Sequence, residues 1–581
     1  MLQLVKKLNE ILDKKQKGNM VGLVIMMLIS AVLETASISI VIPVVTVVMD
    51  QNAIEKNKFV RMIYDMLGCQ STRSFTIIIM LSMVVAFALK NIFLFIQQRA
   101  LYRFIYTNQF NTSMKVMKRY MNRSYEYYLY ADTANIQRNI TSDVNNMYAL
   151  VMSLLTIASE VIVFVFLAAV LIIADPKLTI MISILLVLTL LIIKLLLEPI
   201  LKRTGEENRE HYSDLFKWIS QIVAGIKEVK IGNSEKYFIN EYEKCGRGYV
   251  GAVRTFTLLS NVPRLFIETV CVIGMIIYLL FIVLSGQSAV GMMSTIAAFG
   301  MAVVRLMPCA NRINNQLNNI AYYQPAFLAV ADSLKAEIDA KNLGIEEFEP
   351  AGEKLEVKER IELKNICYKY PNTDKWIFDK ADLTIPVGKS IGIVGTSGSG
   401  KSTIVDLLLG LLAINDGQIT ADGVDILDKD NYRKWLKNVG YIPQTIFMLD
   451  DTLRNNICFG IPSDEIDEER LWEVIKEAQL DEFINSLPEG LDTSIGERGI
   501  RISGGQRQRV GIARALYGNP EVLILDEATS ALDNDTESAI MESINRLHGL
   551  KTLVIVAHRL QTIEKCDEVY RVSEGKILKE R

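Results

Sequence analysis

Apolar residues in the first 311 positions gather into six long blocks, at about 21–49, 75–98, 148–174, 178–200, 259–284 and 289–311. Each reaches the roughly 20 residues that a helix needs to cross a bilayer core, so the pattern predicts six membrane-spanning helices. The second and third blocks, and the fourth and fifth, are joined by stretches of about 50–60 residues of helical character. These read as continuations of the spanning helices beyond the bilayer. The other joins are short except 51–74, where Phe59, Ile63, Met66 and Leu67 recur at helical spacing beside Lys58, Arg61 and Asp65. That spacing predicts a small amphipathic helix at 58–67 on the outer interface, with a plain capped loop as the alternative. Past Lys335 the chain turns polar and acidic, with Pro350 and Gly352, and 335–359 reads as a linker. From 360 to 581 short apolar runs alternate with glycine turns and helical stretches, the pattern of an α/β domain. The expected fold is an all-α transmembrane domain of six helices with long cytoplasmic extensions over 1–334, followed by that α/β domain.

Composition agrees with a chain partly in the membrane: 581 residues, half of them hydrophobic and 22% charged. The net charge of -3 gives no basic surplus for nucleic acid. Seven scattered cysteines without a C-x-x-C pair speak against a disulfide framework or a zinc site. The apolar run after Lys6, Lys7, Lys14, Lys15 and Lys17 is too long for a cleaved signal. With the N-terminus placed in the cytoplasm, the inside segments carry 22 Lys and Arg and the outside loops 5. Basic residues favour the cytoplasmic side, so both ends and the α/β domain are expected there, on a bacterial-type inner membrane.

The strongest chemical signal is Gly395-Thr-Ser397-Gly398-Ser-Gly400-Lys401-Ser402-Thr403, after the apolar run Ser390–Val394 and before a helical stretch. This is G-x-x-x-x-G-K-S in the strand–loop–helix setting the motif requires. Its glycines let consecutive backbone N–H groups turn toward phosphate at the positive end of a helix. Lys401 supplies charge to the β- and γ-phosphates, and Ser402 offers a hydroxyl to Mg²⁺. The 360–581 domain is therefore expected to be a P-loop nucleotide-binding domain. Further on, Val522–Leu525 is an apolar strand ending in Asp526 and Glu527. Carboxylates at the C-terminal end of such a strand lie where parallel sheets bind ligands. Asp526 is placed to hold Mg²⁺ and Glu527 to orient or deprotonate the attacking water.

Between these motifs stands Ile502-Ser503-Gly504-Gly505-Gln506. With it the chain resembles the ATP-binding cassette (ABC) transporters, whose signature motif Ser503–Gln506 match, with Ile502 in place of the commoner leucine. The resemblance extends to Tyr370, where the family stacks an aromatic on adenine. It also covers Gln444 in Tyr441-Ile-Pro-Gln, which can reach both the metal and the water, Asp533 in Ser530-Ala-Leu-Asp, and His558 in Val556-Ala-His-Arg. It implies ATP and Mg²⁺ as cofactors, with Glu527, His558 and Gln444 as catalytic residues. Two cassettes would close head to tail, so that Ser503 and Gly505 of one chain meet the γ-phosphate held by the other. The intact signature, Glu527 and His558 favour a homodimer. Thr493–Gly499 resembles the exporters' X-loop. Two segments, near Tyr130–Gln137 and at Ala224–Ser234, resemble the short helices that couple membrane and cassette.

Charges inside the spans are the direct clue to cargo, since an ionised side chain at the bilayer centre costs about 3 kcal/mol on insertion scales. They are Glu34, Lys90, Glu160, Lys194, Arg264, Glu268 and Arg305. Arg305 and Arg312, seven residues apart, return to one helix face, and Arg264 on the preceding span can join them. Guanidinium groups on a cavity wall suit pyrophosphate. In the opposite reading, Arg264 and Glu268 neutralise each other at i, i+4, and Arg312 and Lys194 reach toward water at the cytosolic boundary. The stretch 296–312, together with 58–67, resembles flippases of lipid-linked oligosaccharides. That resemblance implies a polyprenyl-pyrophosphate glycan as substrate, with Arg264, Arg305, Arg312 and Lys90 as candidate contacts. A lipid, peptide or drug exporter of broad specificity is the alternative within transport. An ATP-gated channel or regulator is the alternative outside it.

Overall fold

The computed structural model describes residues 2–39, 64–65, 71–174, 176–284, 289–335, 352–527, 538, 541–542, 544, 546–557 and 563–581. Two compact units emerge. The first comprises Met1–Met121 with Ala131–Ala336, and the second Asn122–Tyr130 with Glu337–Arg581.

The elements described in the first unit are helices: α1 (Leu2–Ile11), α2 (Lys14–Ser39) and α3 (Thr72–Met121), then, beyond a six-residue helix α4 (Tyr125–Tyr130) that groups with the second unit, α5 (Thr133–Arg138), α6 (Val144–Ala174), α7 (Pro176–Ala224), α8 (Ile226–Ile231), α9 (Glu235–Leu284) and α10 (Ala289–Lys335). Five of the described helices are long and apolar enough to cross a membrane. The expected extensions are continuous helix: α3, α7 and α9 run for 50, 49 and 50 residues. The end of the first expected span (40–49) lies outside the described residues, as do most of 58–67 and the linker up to 351; so do the side chains of 289–305.

The inner faces of these helices meet in one core, where Ala31, Val163, Leu167, Ile182, Leu186, Ile267, Leu306 and Ala310 are buried. Ile77, Leu81, Val84, Leu89, Ile92 and Phe95 of α3 stay exposed. So much apolar surface on one helix suits lipid or another chain rather than water. Gly205 is where α7 meets α10: a Cβ there would lie 2.0 Å from the carbonyl oxygen of Tyr322. Tyr322 in turn stacks on Phe256 of α9 at 3.9 Å between centroids.

A π-helical turn, Asn139–Asp143, joins α5 to α6. The side chain of Asp143 is fully buried there. Arg209 of α7 donates to both of its oxygens at 2.9 Å, and Arg138 Nε donates to one at 3.3 Å. Beside it Asn139 Nδ2 donates to Tyr120 Oη at 2.8 Å and to Ser333 Oγ at 2.5 Å. Helices α3, α7 and α10 thus converge on one turn through polar contacts.

The described residues of the second unit form two sheets. Strands β1 (Arg360–Tyr368), β2 (Phe378–Pro386), β4 (Asp416–Ala421) and β5 (Val424–Asp425) form an antiparallel sheet in the order β2-β1-β4-β5. The larger sheet runs β10-β9-β3-β8-β7-β6. It is built from β3 (Ser390–Gly395), β6 (Val439–Ile442), β7 (Val522–Asp526), β8 (Thr552–Val556), β9 (Glu568–Ser573) and the antiparallel edge strand β10 (Lys576–Lys579). From β9 to β6 all neighbours are parallel. Every residue of β7 and β8 is buried, which explains their unbroken apolar runs. The described helices around these sheets include α11 (Lys401–Leu408), α12 (Lys429–Leu436), α13 (Leu453–Ile457), α14 (Glu468–Glu477), α15 (Asp481–Ser486) and α16 (Gly504–Tyr517).

Candidate nucleotide site

The parallel strands bring the phosphate loop and the acidic pair to one edge. The loop leaves β3 at Gly395 and enters α11 at Lys401. Its turn needs positive φ at Gly398 (+75°) and Gly400 (+107°). A Cβ on Gly400 would also lie 3.0 Å from Ile377 Cγ2 and Phe378 Cζ. Gly400→Ala therefore strains the backbone and the packing together. We expect it to abolish nucleotide binding, read as loss of saturable binding of a fluorescent ATP analogue by the purified chain.

Lys401 is 5% exposed, and its ammonium donates to the carbonyl oxygens of Gly395 at 3.0 Å and Thr396 at 3.2 Å. The cation is thus held over the loop that it serves. Ser399 Oγ is buried there with no hydrogen-bond partner, a polar atom left over for a ligand. Ser402 Oγ donates to Asp526 Oδ1 at 3.4 Å, across from α11 to the end of β7. A hydroxyl beside a carboxylate suits a hard dication that takes its other ligands from water and phosphate oxygens. Asp526 is 7% exposed, and burial pushes its carboxyl above the ordinary carboxylate range, with Glu527 adding to the effect. The Ser402 hydroxyl and the Lys401 ammonium pull the other way and do not offset the burial.

Glu527 follows at φ +50°, a left-handed conformation rare for a non-glycine residue, and its N–H donates to Val556 O at 3.0 Å. The strained turn aims the carboxylate back toward Gln444, whose Nε2 donates to Glu527 Oε2 at 2.8 Å. Two residues picked out separately in the sequence therefore touch. Tyr370 lies beside the loop, its hydroxyl 3.0 Å from Thr403 Oγ1. Ser397, Gly398 and Ser402 sit in or beside this cradle with Gly395 and Gly400. His558 and Asp533 lie outside the described residues.

The Ser503–Gln506 turn opens α16. Ser503 Oγ accepts from Gln506 N at 3.2 Å, and Gln506 Oε1 accepts from Ser503 N at 2.8 Å. This capping box starts the helix sharply and leaves Ser503 and Gly504 on the surface, Gly505 partly so. Among the described residues, no hydrogen bond or ion pair joins this turn to the phosphate loop. Arg514, one helical face further on, donates to Asn456 O at 2.7 Å and Phe447 O at 2.8 Å. It ties the signature helix to the segment after Gln444.

Asp406, in the helix after the loop, had no assigned role in the sequence. Burial first, and Asp526 second, push its carboxyl up to about 6 from the ordinary 3.8. A carboxyl raised in the folded state binds protons more tightly there than when unfolded. Stability thus falls as pH rises from about 4 to 6, and the cost is fully present at neutral pH. Asp406→Asn removes it. Without nucleotide, the variant is expected to be more stable than the wild type at pH 7.5, by up to about 3 kcal/mol, and to lose that advantage progressively as pH falls from about 6 to 4.

Comparison with known proteins follows the same division. Residues 378–530 match the family model described as ABC transporter, and 23–307 match the ABC transporter transmembrane region. A Haemophilus influenzae protein named ATP-dependent lipid A-core flippase is 32% identical over 432 residues, 73% of this chain and 71% of that protein. The chain belongs to the ABC transporters. It joins their transmembrane region to one ATP-binding cassette. A fungal relative from Gibberella fujikuroi, ABC transporter BEA3, is 40% identical over 281 residues, 48% of this chain and 20% of its own length. Matches to further relatives carrying the flippase name span 38% to 59% of their length. The solved structure of a bacterial Atm1-family ABC exporter with ATP bound shares the fold. Its TM-score is 0.77 at 22% identity, over 97% of this chain and 95% of that one.

In this ABC transporter the described candidate cargo residues each have surroundings of their own. Arg312 is not a free guanidinium: its Nε donates to Glu160 Oε1 at 2.7 Å, joining α10 to α6. Lys194 faces Glu198 at 3.9 Å, one turn along its own helix. Arg264 and Glu268 are both exposed, and among the described residues no ion pair joins them. Lys90 lies over the ring of Phe87 at 4.9 Å. The side chain of Arg305 is outside the described residues. The coupling segment expected near Tyr130–Gln137 divides differently. Asp132 caps α5 by accepting from Ala134 N, and α4, ending at Tyr130, belongs with the cassette. Helix α8 falls inside the second expected segment and leaves Ile226 and Ile231 exposed.

Proposed function

We propose that this chain is half of a homodimeric exporter that hydrolyses ATP to move an anionic amphiphile, a polyprenyl-pyrophosphate-linked oligosaccharide, out of the cytoplasmic leaflet. The observation that carries the ATPase half of this reading is the meeting of Lys401, Ser402, Asp526, Gln444 and Glu527 at one sheet edge. Lys401 neutralises the transferred phosphate. Glu527 accepts the proton of the attacking water while Gln444 fixes its carboxylate. Ser402 and Asp526 would hold Mg²⁺, which would supply positive charge against the negative charge of the phosphate groups. Ser503 and Gly505 of the second chain, with His558, complete the site, and Tyr370 stacks on the base.

The cargo half is supported by membrane-level cations. Arg264 is exposed on α9, and Arg305 and Arg312 lie seven residues apart on α10. Arg312 would exchange Glu160 for the pyrophosphate, one anion for another. The test is flipping of a fluorescent polyprenyl-pyrophosphate glycan in liposomes. The reading expects ATP-dependent transfer that falls in Arg264→Ala and Arg305→Ala, with Lys401→Ala inactive. Unchanged transfer in both arginine variants would remove their role. ATPase stimulation by many apolar compounds, with no preference for pyrophosphate, would shift the reading to a broad exporter.

A further inference from the structure

The cassette's unit contains one piece of chain from far away, the segment Asn122–Tyr130. Its helix α4 carries Glu126, whose Oε1 accepts from Ala413 N at 3.2 Å and from Tyr368 Oη at 3.3 Å. Ala413 follows the helix that leaves the phosphate loop, and Tyr368 ends β1. One carboxylate oxygen therefore ties two segments that border the nucleotide site. At the end of α4, Tyr130 Oη donates to Pro371 O at 3.1 Å, next to Tyr370. The rings of Tyr368 and Tyr370 meet edge to face at 5.3 Å, and Tyr370 reaches Thr403 in the P-loop helix. Glu126, Tyr370 and Ala413 share the wall of a cleft of about 470 Å³.

We propose that Glu126 is a positioning residue for the nucleotide base: through Tyr368 and Ala413 it sets the pose of Tyr370, and so the affinity for ATP, from a segment outside the cassette's own sequence. The proposal rests on the reading that Tyr370 stacks on the base. Tyr368 is 1% exposed, so removing its acceptor leaves a buried hydroxyl unpaired and frees the ring to turn. Tyr370, packed against that ring, then loses its fixed plane. The phosphate cradle keeps its own bonds, because Lys401 is held by Gly395 and Thr396 and not by α4.

The experiment uses the full chain in liposomes, with ATP as substrate and inorganic tripolyphosphate, which has no base, as competitive inhibitor. Glu126→Ala is expected to raise KM for ATP about fivefold or more with kcat within twofold, while tripolyphosphate inhibits as in the wild type. Glu126→Gln, whose amide oxygen still accepts both bonds, is expected to restore KM. An unchanged KM in Glu126→Ala overturns the proposal, and so does an equal loss of tripolyphosphate affinity, which would mean general distortion of the loop. Lys401→Ala separates the two readings. If it abolishes turnover while Glu126→Ala leaves KM unchanged, only the positioning role falls; if it turns over normally, the ATP site and the positioning role fall together.

Discussion

Glu527→Gln is expected to stop hydrolysis while leaving ATP bound. The substitution keeps the volume and keeps an oxygen to accept from Gln444 Nε2, now 2.8 Å from Glu527 Oε2, so the local geometry survives. What it removes is the basic oxygen. An amide cannot take the proton of the attacking water, and loss of a positioned general base costs roughly 10²–10⁴ in rate. The phosphate loop, with Lys401 and Ser402, is unchanged by the substitution, so affinity for ATP should hold within about threefold. The checks are steady-state phosphate release and binding of labelled ATP on the same preparation. A passive gate that only binds nucleotide would show no such split, because its wild type would hydrolyse little at the start. Turnover above a tenth of the wild-type rate would assign the base to another residue.

Asp143→Ala is expected to be among the most destabilising single changes in the helical unit. The carboxylate is fully buried and holds two guanidinium groups whose side chains are only 13% and 17% exposed. Cutting one partner from a buried ion cluster costs roughly 3–5 kcal/mol, because the remaining charges stay behind without compensation. Here two cations remain, and Arg138 is held near Arg209 by its own bond to Arg209 O at 3.2 Å. The site also joins three long helices through Tyr120, Arg209 and Ser333, so loosening spreads along α3, α7 and α10. In detergent the melting midpoint should fall on the order of 5–15 °C. Replacing Asp143 by Leu and both Arg138 and Arg209 by Met together should recover much of the loss, since all three charges leave at once. A midpoint unchanged in Asp143→Ala would show that the cluster is structurally idle.

How much of this was legible in the sequence depended on range. The phosphate loop was readable because Gly395 to Thr403 is contiguous and its neighbours dictate strand, turn and helix. The long helices were readable because apolar runs and Lys/Arg bias are local as well. The contact of Gln444 with Glu527 spans 83 residues, and each was found through its own motif, not through the other. The partner of Arg312 was not found. The sequence offered Glu268 as a local i, i+4 partner for Arg264, whereas the structure pairs Arg312 with Glu160, 152 residues away on another helix. The boundary of α4 was missed for a different reason. Tyr125-Glu-Tyr-Tyr-Leu-Tyr130 is aromatic on nearly every face, so no periodicity marks which side is buried. Docking of Glu126 and Tyr130 on the cassette decides it. Asp132, an ordinary N-cap residue, was the one available sign that a new helix starts at Thr133.

The central claim is that each nucleotide is hydrolysed between two copies of this chain, because the Ser503–Gln506 turn of one completes the phosphate cradle of the other. Mass and specific ATPase activity measured together across a dilution series of the purified full chain test it most directly. The account predicts that turnover per chain falls in step with the fraction of dimer. Monomers that retain full turnover would contradict it.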